Sequence, residues 1–302
     1  MCRTDLNLTC LNQTGQCGVA VVTLIALMFN TTGVTVAGIT NSHGANSRAS
    51  SGTTISGTGV AGATQTQLSH PTSVFVTENS TIYVSDSFNY RTQKFIDGSH
   101  VGVTVAGISG TSGPGLNEIG FCYGIYVDSN QTVYVSDSVY TRVLAWYINS
   151  STGVLVGGQG GNGSAANQLY NPHGIYVDEL NGYLYIADTS NNRIQQYVLG
   201  QSSGVTVAGG NAVGGMGLSQ FDYPTDVIGD GKGYLYIADS NNCRVVQWFI
   251  GGAEGIVVAG QTGVCDDSAT TMGSVLAVAF DKNYSLYAAD SDYSRIQKFS
   301  KI

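Results

Sequence analysis

A short phrase recurs five times along this chain at intervals of 51 residues, and this period restricts the folds that the chain can adopt. Each copy holds a tyrosine, an aspartate three residues later and an arginine five residues after the aspartate. The tyrosines of the five copies are Tyr83, Tyr134, Tyr185, Tyr236 and Tyr287. A repeat of this length that contains several short strands is typical of a β-propeller. The sequence therefore predicts one large all-β domain.

The third repeat shows how one unit is built. Residues 172–178 (PHGIYVD) alternate apolar and polar positions before a turn, which predicts a first strand, a. Residues 183–188 (YLYIAD) predict strand b, residues 193–198 (RIQQYV) strand c, and residues 204–210 (GVTVAGG) strand d. Three short turns join these four antiparallel strands, and a glycine-rich loop leads to the next unit. We expect strand a to be innermost in each blade.

The third unit also resembles a known family. Its pattern P-x-G-I-x-V-D, followed by L-Y-I-A-D-x-x-N-N-R-I-Q, is similar to the NHL repeat, which forms β-propellers. The resemblance extends over residues 67–302, although Cys122 replaces the first proline in the second unit and the fifth unit (VLAVAFD) lacks both proline and glycine. NHL propellers also occur in ubiquitin ligases and RNA-binding regulators. This chain has no RING or B-box cysteine pattern and is acidic, so neither activity is carried over.

The order of the strands predicts how the propeller closes. Strand d occurs five times, but its first copy, residues 33–38, precedes the first strand a, and the chain stops just after the last strand c. We therefore expect an all-β propeller of five four-stranded blades over residues 33–302, closed by pairing of the N-terminal strand with the last blade, which removes an open edge. A six-bladed parent protein is the alternative. The first inter-blade loop carries a Ser/Thr/Gly-rich insertion at residues 41–62, which predicts a mobile surface loop.

Charge and sorting signals limit the partners and the compartment. The net charge of −8 argues against nucleic acid, whose binding depends on Lys and Arg. Within residues 1–32, the apolar run at 18–29 is too short for a helix that spans a membrane and has the length of a signal-peptide core, which indicates a signal or a signal-anchor. A buried strand or a truncated blade is the alternative. Frequent glycosylation sequons favour an extracellular or secretory location, and a chain that is simply rich in Asn, Ser and Thr is the alternative. No membrane span is expected in the propeller. The sequons are Asn7, Asn12, Asn30, Asn79, Asn130, Asn149, Asn162 and Asn283.

The six cysteines contain no zinc-binding spacing, so a structural zinc site is not expected. Cys243 opens strand c of the fourth unit, and Cys265 follows strand d by five residues. Because strands c and d are antiparallel, the start of one lies beside the end of the other, within the roughly 7 Å between Cα atoms that a disulfide needs. The sequence thus predicts a Cys243–Cys265 disulfide; two unrelated thiols are the alternative.

We interpret the repeated aspartates and arginines as structural, because a role required in five repeats is more typical of architecture than of catalysis. Asp188 is expected to accept hydrogen bonds from backbone N–H groups of residues 189–192 and to pair with Arg193. Loss of either partner should cost about 1–3 kcal/mol. A ring of catalytic or metal-binding carboxylates is the alternative. The pairs are Asp86 and Arg91, Asp137 and Arg142, Asp188 and Arg193, Asp239 and Arg244, and Asp290 and Arg295.

Function is sought in the positions that vary between repeats. In a propeller the d-to-a loops and the b-to-c turns share one face, and here they carry many aromatic residues. Aromatics on a loop surface are typical anchors for protein or glycan ligands, although each ring could instead pack on a neighbouring blade. The candidate binding residues are Phe88, Tyr90, Tyr140 and Tyr293 from b-to-c turns, and His70, Phe121, Tyr170 and Tyr223 from d-to-a loops.

Catalytic motifs are weak in this sequence. Only four histidines occur, and His70 and His173 take similar places in the first and third units without an evident third metal ligand. The glycine-rich loops join strands to strands and do not resemble phosphate-binding loops. We therefore expect a non-catalytic protein- or glycan-binding propeller with no catalytic residue, metal or cofactor. A lyase- or lactonase-type propeller with a metal at its centre is the alternative.

Overall fold

Five antiparallel sheets, arranged as the blades of a β-propeller, contain all the strands in the computed structural model, which describes residues 54–210 and 213–300. Four sheets have four strands, and the fifth has three within these residues. The strands are β1 (Pro71–Val76), β2 (Ile82–Asp86), β3 (Arg91–Phe95) and β4 (Val103–Gly107); β5 (Cys122–Val127), β6 (Val133–Asp137), β7 (Arg142–Trp146) and β8 (Val154–Gly157); β9 (Pro172–Asp178), β10 (Tyr183–Asp188), β11 (Arg193–Val198) and β12 (Gly204–Gly209); β13 (Pro224–Gly229), β14 (Tyr234–Asp239), β15 (Arg244–Phe249) and β16 (Ile256–Gly260); and β17 (Val275–Phe280), β18 (Leu286–Asp290) and β19 (Arg295–Phe299).

The turns between the second and third strands end in the same backbone conformation in all five blades. In each turn the last residue is left-handed, with φ between 50° and 56°. Residues other than glycine seldom adopt this conformation. Here the hydrogen bonds between the two strands that flank the turn hold it in place. The side chain at this position is therefore free to differ between blades. These residues are Tyr90, Thr141, Asn192, Cys243 and Ser294.

The core lies between consecutive blades. Between the third and fourth blades, Tyr185 and Ile194 pack in one buried cluster with Phe221, Ile237 and Trp248. Similar clusters join the first blade to the second, the second to the third, and the fourth to the fifth. The first strands of these consecutive blades also contact one another, which places them innermost. Because alternate side chains of each strand point to opposite faces, every inner blade packs on both neighbours.

The first blade has a fifth apolar cluster on its other face, formed without residues of the fifth blade. Val84 and Phe95 are buried there, with Ile55 and Leu68 packed against them. Ile55 belongs to the insertion at residues 41–62, so the described end of this loop is docked on the first blade. The remainder of the insertion, the N-terminal segment 1–32 and the predicted closing strand at 33–38 lie outside the described residues.

The predicted disulfide is present. Cys243 and Cys265 are bonded, with 5.4 Å between their Cα atoms. Cys243 is the left-handed last residue of its turn, and the Cys265 segment folds back beside it through a bridge between Gln261 and Val264. The bond therefore ties the loop between the fourth and fifth blades to the adjacent turn.

Opening this disulfide should destabilise the chain without unfolding it outright. The Cys243→Ser, Cys265→Ser double variant removes a constraint across 22 residues, and the free energy of unfolding should fall by about 2–3 kcal/mol. Denaturant unfolding of the parent with and without reductant provides the matched comparison. The reduced parent and the double variant should coincide, and a variant as stable as the oxidised parent would contradict the assigned role.

Candidate functional site

The repeated aspartate of each blade holds three parts of its own sheet together. In the third blade, Asp188 Oδ2 accepts hydrogen bonds from Arg193 Nε at 2.7 Å and Asn191 Nδ2 at 2.9 Å. Its Oδ1 atom accepts the backbone N–H of Tyr170 at 2.7 Å. The expectation that backbone N–H groups of residues 189–192 donate to Asp188 is wrong, although in the second blade the turn N–H of Tyr140 does donate to Asp137 Oδ1, at 3.2 Å. The carboxylate points across the sheet to the start of the first strand, which needs a partner for its N–H.

The arginine of each pair fixes the long loop that enters its blade. Arg193 donates through its two Nη atoms to the carbonyl oxygens of Ser164 at 2.8 Å, and of Ala165 and Gln168 at 3.1 Å. Desolvation raises the pKa of Asp188, and the donors around it oppose that shift. Equivalent ion pairs occur in all five blades, with N–O distances of 2.7 to 3.0 Å. This use of both groups supports the structural interpretation of the repeated pairs.

The face that carries these loops and the b-to-c turns, called the loop face, presents two groups of stacked rings. In the first group, His70 stacks on Phe88 with 3.8 Å between ring centroids. Phe121 lies 5.2 Å from Phe88 and 5.8 Å from Tyr90. Four of the predicted binding residues are therefore linked by successive ring contacts at the junction of the first and second blades, with 46% of Phe88 exposed.

The second group includes residues that the sequence did not single out for binding. Tyr123 stacks on His173 at 4.2 Å, and Tyr223 meets the edge of the same imidazole at 5.7 Å. Asn171 Nδ2 donates to the Tyr223 hydroxyl at 3.2 Å. His173 is buried, and desolvation lowers its pKa to about 3, so its ring is neutral at physiological pH. The sequence contained one indication of this contact, because Tyr123 and His173 occupy equivalent positions in the first strands of consecutive blades.

Backbone strain holds part of this surface in place. His70, Asn171 and Tyr223 have φ of 48°, 54° and 59°, and each precedes a proline. Residues before proline favour extended backbone, so three left-handed residues at this position are costly. Such strain persists only where the surrounding structure enforces it, and it is common at binding sites.

Of the other predicted binding residues, two pack on arginine side chains and one is exposed to solvent. Tyr140 and Tyr293 cover the guanidinium groups of Arg142 and Arg295, with 5.3 and 5.5 Å to the ring centroids. The Tyr293 hydroxyl also donates to the carbonyl of Cys265 at 3.0 Å. By contrast, 47% of Tyr170 is exposed. The first two rings therefore protect ion pairs, and Tyr170 is available to a ligand.

The loop face is acidic. Every charged residue in its described loops and turns is a carboxylate, whereas the five arginines at its edge are committed to ion pairs. The carboxylates are Glu118, Asp222, Asp266, Asp267 and Asp292. A face that carries both exposed rings and carboxylates suits a cationic ligand.

One further carboxylate lies between inner strands. Asp226 Oδ2 accepts the N–H of Val278 in the next blade at 2.9 Å, and Oδ1 accepts the N–H of Val227 at 2.9 Å. On its other side the backbone of Gly174 is so close that a Cβ atom there would lie 2.7 Å from the Asp226 Cα. Desolvation raises the pKa of Asp226 to about 7. The equivalent residue in each of the other blades is small and neutral. The sequence therefore already distinguished this aspartate from its counterparts.

The two histidines compared in the sequence lie in separate ring groups. His70 and His173 each stack on a different aromatic ring, Phe88 and Tyr123, and are not joined in one site. Within residues 54–210 and 213–300, no three His, Cys, Asp or Glu side chains form a group that could hold a metal ion. Nor does this part of the chain contain a helix long and apolar enough to cross a membrane.

Fold and surface thus define a β-propeller with a variable loop face. Residues 169–197, in the third blade, match the NHL repeat, which agrees with the resemblance seen in the sequence of that unit. No curated protein matches the sequence.

Solved structures share the fold at low identity. An auxiliary nutrient binding protein from Bacteroides ovatus is 14% identical, with a TM-score of 0.57 over 78% of this chain. A chain of the nidogen/laminin complex is 17% identical, with a TM-score of 0.54, and the match covers 78% of this chain and 81% of that one. A gluconolactonase from Xanthomonas campestris is 11% identical, with a TM-score of 0.54 over 74% of this chain and 69% of the enzyme. The chain spans only about 60% of the Bacteroides protein.

Proposed function

We propose that this protein is a non-catalytic binding module that acts outside the cytosol and holds a basic polypeptide on its loop face. The observation that carries the proposal is the pair of stacked aromatic groups on an acidic surface. The chain of the nidogen/laminin complex is a precedent for a propeller of this fold in a protein complex. The Cys243–Cys265 disulfide supports an oxidising compartment.

The aromatic groups suit binding because their rings are already ordered. His70 and Phe88 hold each other by stacking, and Asn171 fixes the Tyr223 hydroxyl. A ligand that contacts these rings loses little additional side-chain entropy, which is the usual advantage of a preorganised surface. Aromatic residues of this kind supply most of the energy of many interfaces.

The charge of the face selects the ligand. A lysine or arginine side chain of a partner could contact Asp222 while it stacks on Tyr223, the next residue along the chain. Complementary charge raises the association rate and makes it sensitive to salt. A neutral glycan would show no such salt dependence, so ionic strength separates the two ligand classes.

Binding should be lost when loop-face rings are truncated. The immobilised protein is probed with a peptide array of graded net charge and with a glycan array. We expect basic peptides to bind, and the Phe88→Ala, Tyr170→Ala double variant to bind them at least about tenfold more weakly, as for an interface anchor. Tyr147→Ala, Tyr284→Ala is the matched control, because these exposed tyrosines lie on the opposite face.

Three other outcomes would count against the proposal. Salt-insensitive capture of a glycan would reassign the ligand. Equal losses in the two double variants would remove the loop face from binding. Stoichiometric calcium or zinc in the purified protein would favour the metal-centred enzyme instead.

A further inference from the structure

The glycosylation sequons are distributed unevenly over the two faces of the propeller. Five lie in the described residues, and all five asparagines are exposed. Asn79, Asn130 and Asn283 lie in turns between first and second strands, and Asn149 lies between the third and fourth strands of its blade. These turns form the face opposite the loop face, called here the turn face. Only Asn162 lies in a long loop of the loop face, although those loops contain more residues.

Three of the turn-face sequons share one backbone arrangement. The residue two before the asparagine accepts, through its side chain, the N–H of the residue two after it: Thr77 from Thr81 at 3.1 Å and Asp128 from Thr132 at 2.7 Å. In the fifth blade Asp281 accepts from Ser285 at 2.9 Å. The hydroxyl residue is thereby buried and the asparagine is left at the outside of the turn. A glycan attached before folding would then project into solvent without disturbing the turn.

The turn face also exposes large apolar side chains beside these asparagines. Tyr147 and Ile148, which precede Asn149, are 55% and 56% exposed. Tyr284, which follows Asn283, is 46% exposed. Single exposed apolar side chains are normal on a protein surface, but each of these lies next to a sequon asparagine, where an attached glycan would cover it. A glycan is bulky and hydrophilic, and it is well suited to shield such surface.

We propose that the turn face is N-glycosylated at Asn79, Asn130, Asn149 and Asn283, and that these glycans cover it and leave the loop face as the accessible binding surface. In this reaction the asparagine Nδ2 bonds to the first carbon of a polyprenyl pyrophosphate-linked oligosaccharide. The carbon–oxygen bond to the pyrophosphate breaks, the lipid pyrophosphate departs, and the amide nitrogen loses a proton. The inference rests on the extracellular location in the proposed function.

Asn162 is the exception that the experiment must isolate. The backbone around it is used inside the protein, because the carbonyls of Gly163 and Ser164 accept hydrogen bonds from Asn191 and Arg193. A glycan at Asn162 would project from the loop face. The test protein therefore carries Asn162→Gln, which removes that sequon and retains a side-chain amide.

The test measures both occupancy and shielding. The chain is secreted from cultured animal cells behind a cleavable leader, and glycopeptide mapping determines occupancy at each asparagine. Surface tyrosines of the folded protein are then iodinated before and after enzymatic removal of the glycans. We expect all four sites to be occupied and Tyr147 and Tyr284 to react several-fold faster once the glycans are removed. Tyr170 and Tyr293, on the loop face, should react equally in both states.

Site-specific variants assign the shielding to individual glycans. Asn149→Gln should expose Tyr147 alone, and Asn283→Gln should expose Tyr284 alone. Unoccupied sites, or occupied sites with unchanged labelling of both tyrosines, would overturn the inference. The proposed function is tested separately, because the deglycosylated protein should bind basic peptides as before and should still lose binding with Phe88→Ala, Tyr170→Ala.

Discussion

Replacing Arg244 with alanine should lower the free energy of unfolding by about 3–5 kcal/mol, the usual cost of leaving a buried charge without its partner. Arg244 is fully buried and pairs with Asp239 at 2.7 Å. It also donates to the carbonyls of Met216, Gly217 and Gln220 at 2.8 to 2.9 Å. The alanine variant therefore leaves a buried carboxylate and several carbonyls without their donor. The expected loss of stability exceeds the roughly 1–3 kcal/mol expected for an isolated ion pair, because this pair is part of a hydrogen-bond network.

Arg295 provides a matched control for this prediction. It makes the same ion pair, with Asp290 at 2.8 Å, but its side chain is 25% exposed in the last blade. Water can solvate the groups that Arg295→Ala leaves behind, so its loss of stability should be clearly smaller. Denaturant unfolding followed by the fluorescence of Trp146 and Trp248 measures both variants. Equal losses would contradict the dependence on burial.

Replacing Asp226 with asparagine should change how stability depends on pH. The pKa of Asp226 rises from its usual 3.8 to about 7 in the folded state. The folded chain thus holds a proton between about pH 4 and pH 7 that the unfolded chain has released, so this group makes stability fall as the pH rises through that range. Asparagine keeps an acceptor for the Val278 N–H, loses the one for the Val227 N–H and removes the charge. The lost hydrogen bond lowers stability at every pH, so the expected result is the change with pH: from pH 4 to pH 8 the stability of the variant relative to the parent should rise by up to roughly 3–4 kcal/mol.

The parent alone would not reveal this effect. His173 acts in the opposite direction, because its pKa falls from 6.5 to about 3, and the stability it contributes is lost as the pH falls through that range. The two slopes partly cancel, so the informative quantity is the difference between Asp226→Asn and the parent at each pH. Asp97→Asn, a change on an exposed turn, should follow the parent profile. A constant difference between Asp226→Asn and the parent from pH 4 to pH 8 would contradict the raised pKa.

Local features of the sequence were sufficient for the blades. Alternating residues and short turns located the strands, as in Tyr183–Asp188 and Arg193–Val198. The 51-residue period set their order, and the antiparallel arrangement of strands c and d predicted the Cys243–Cys265 disulfide. These predictions depend on contacts within one blade, between residues that are close along the chain. Contacts of this kind are repeated in every unit, so each copy supports the others.

The tertiary structure decided what depends on contacts between different repeats. It placed Tyr123 against His173 and Asp226 against the Val278 N–H of the next blade. It also directed the guanidinium of Arg193 to carbonyls more than twenty residues earlier. The sequence alone determined that the chain is a propeller with a variable, aromatic loop face. The packing of neighbouring blades decides which of those rings meet, which cover ion pairs and which are exposed. Side chains from different repeats come together only when the blades are assembled around their common axis.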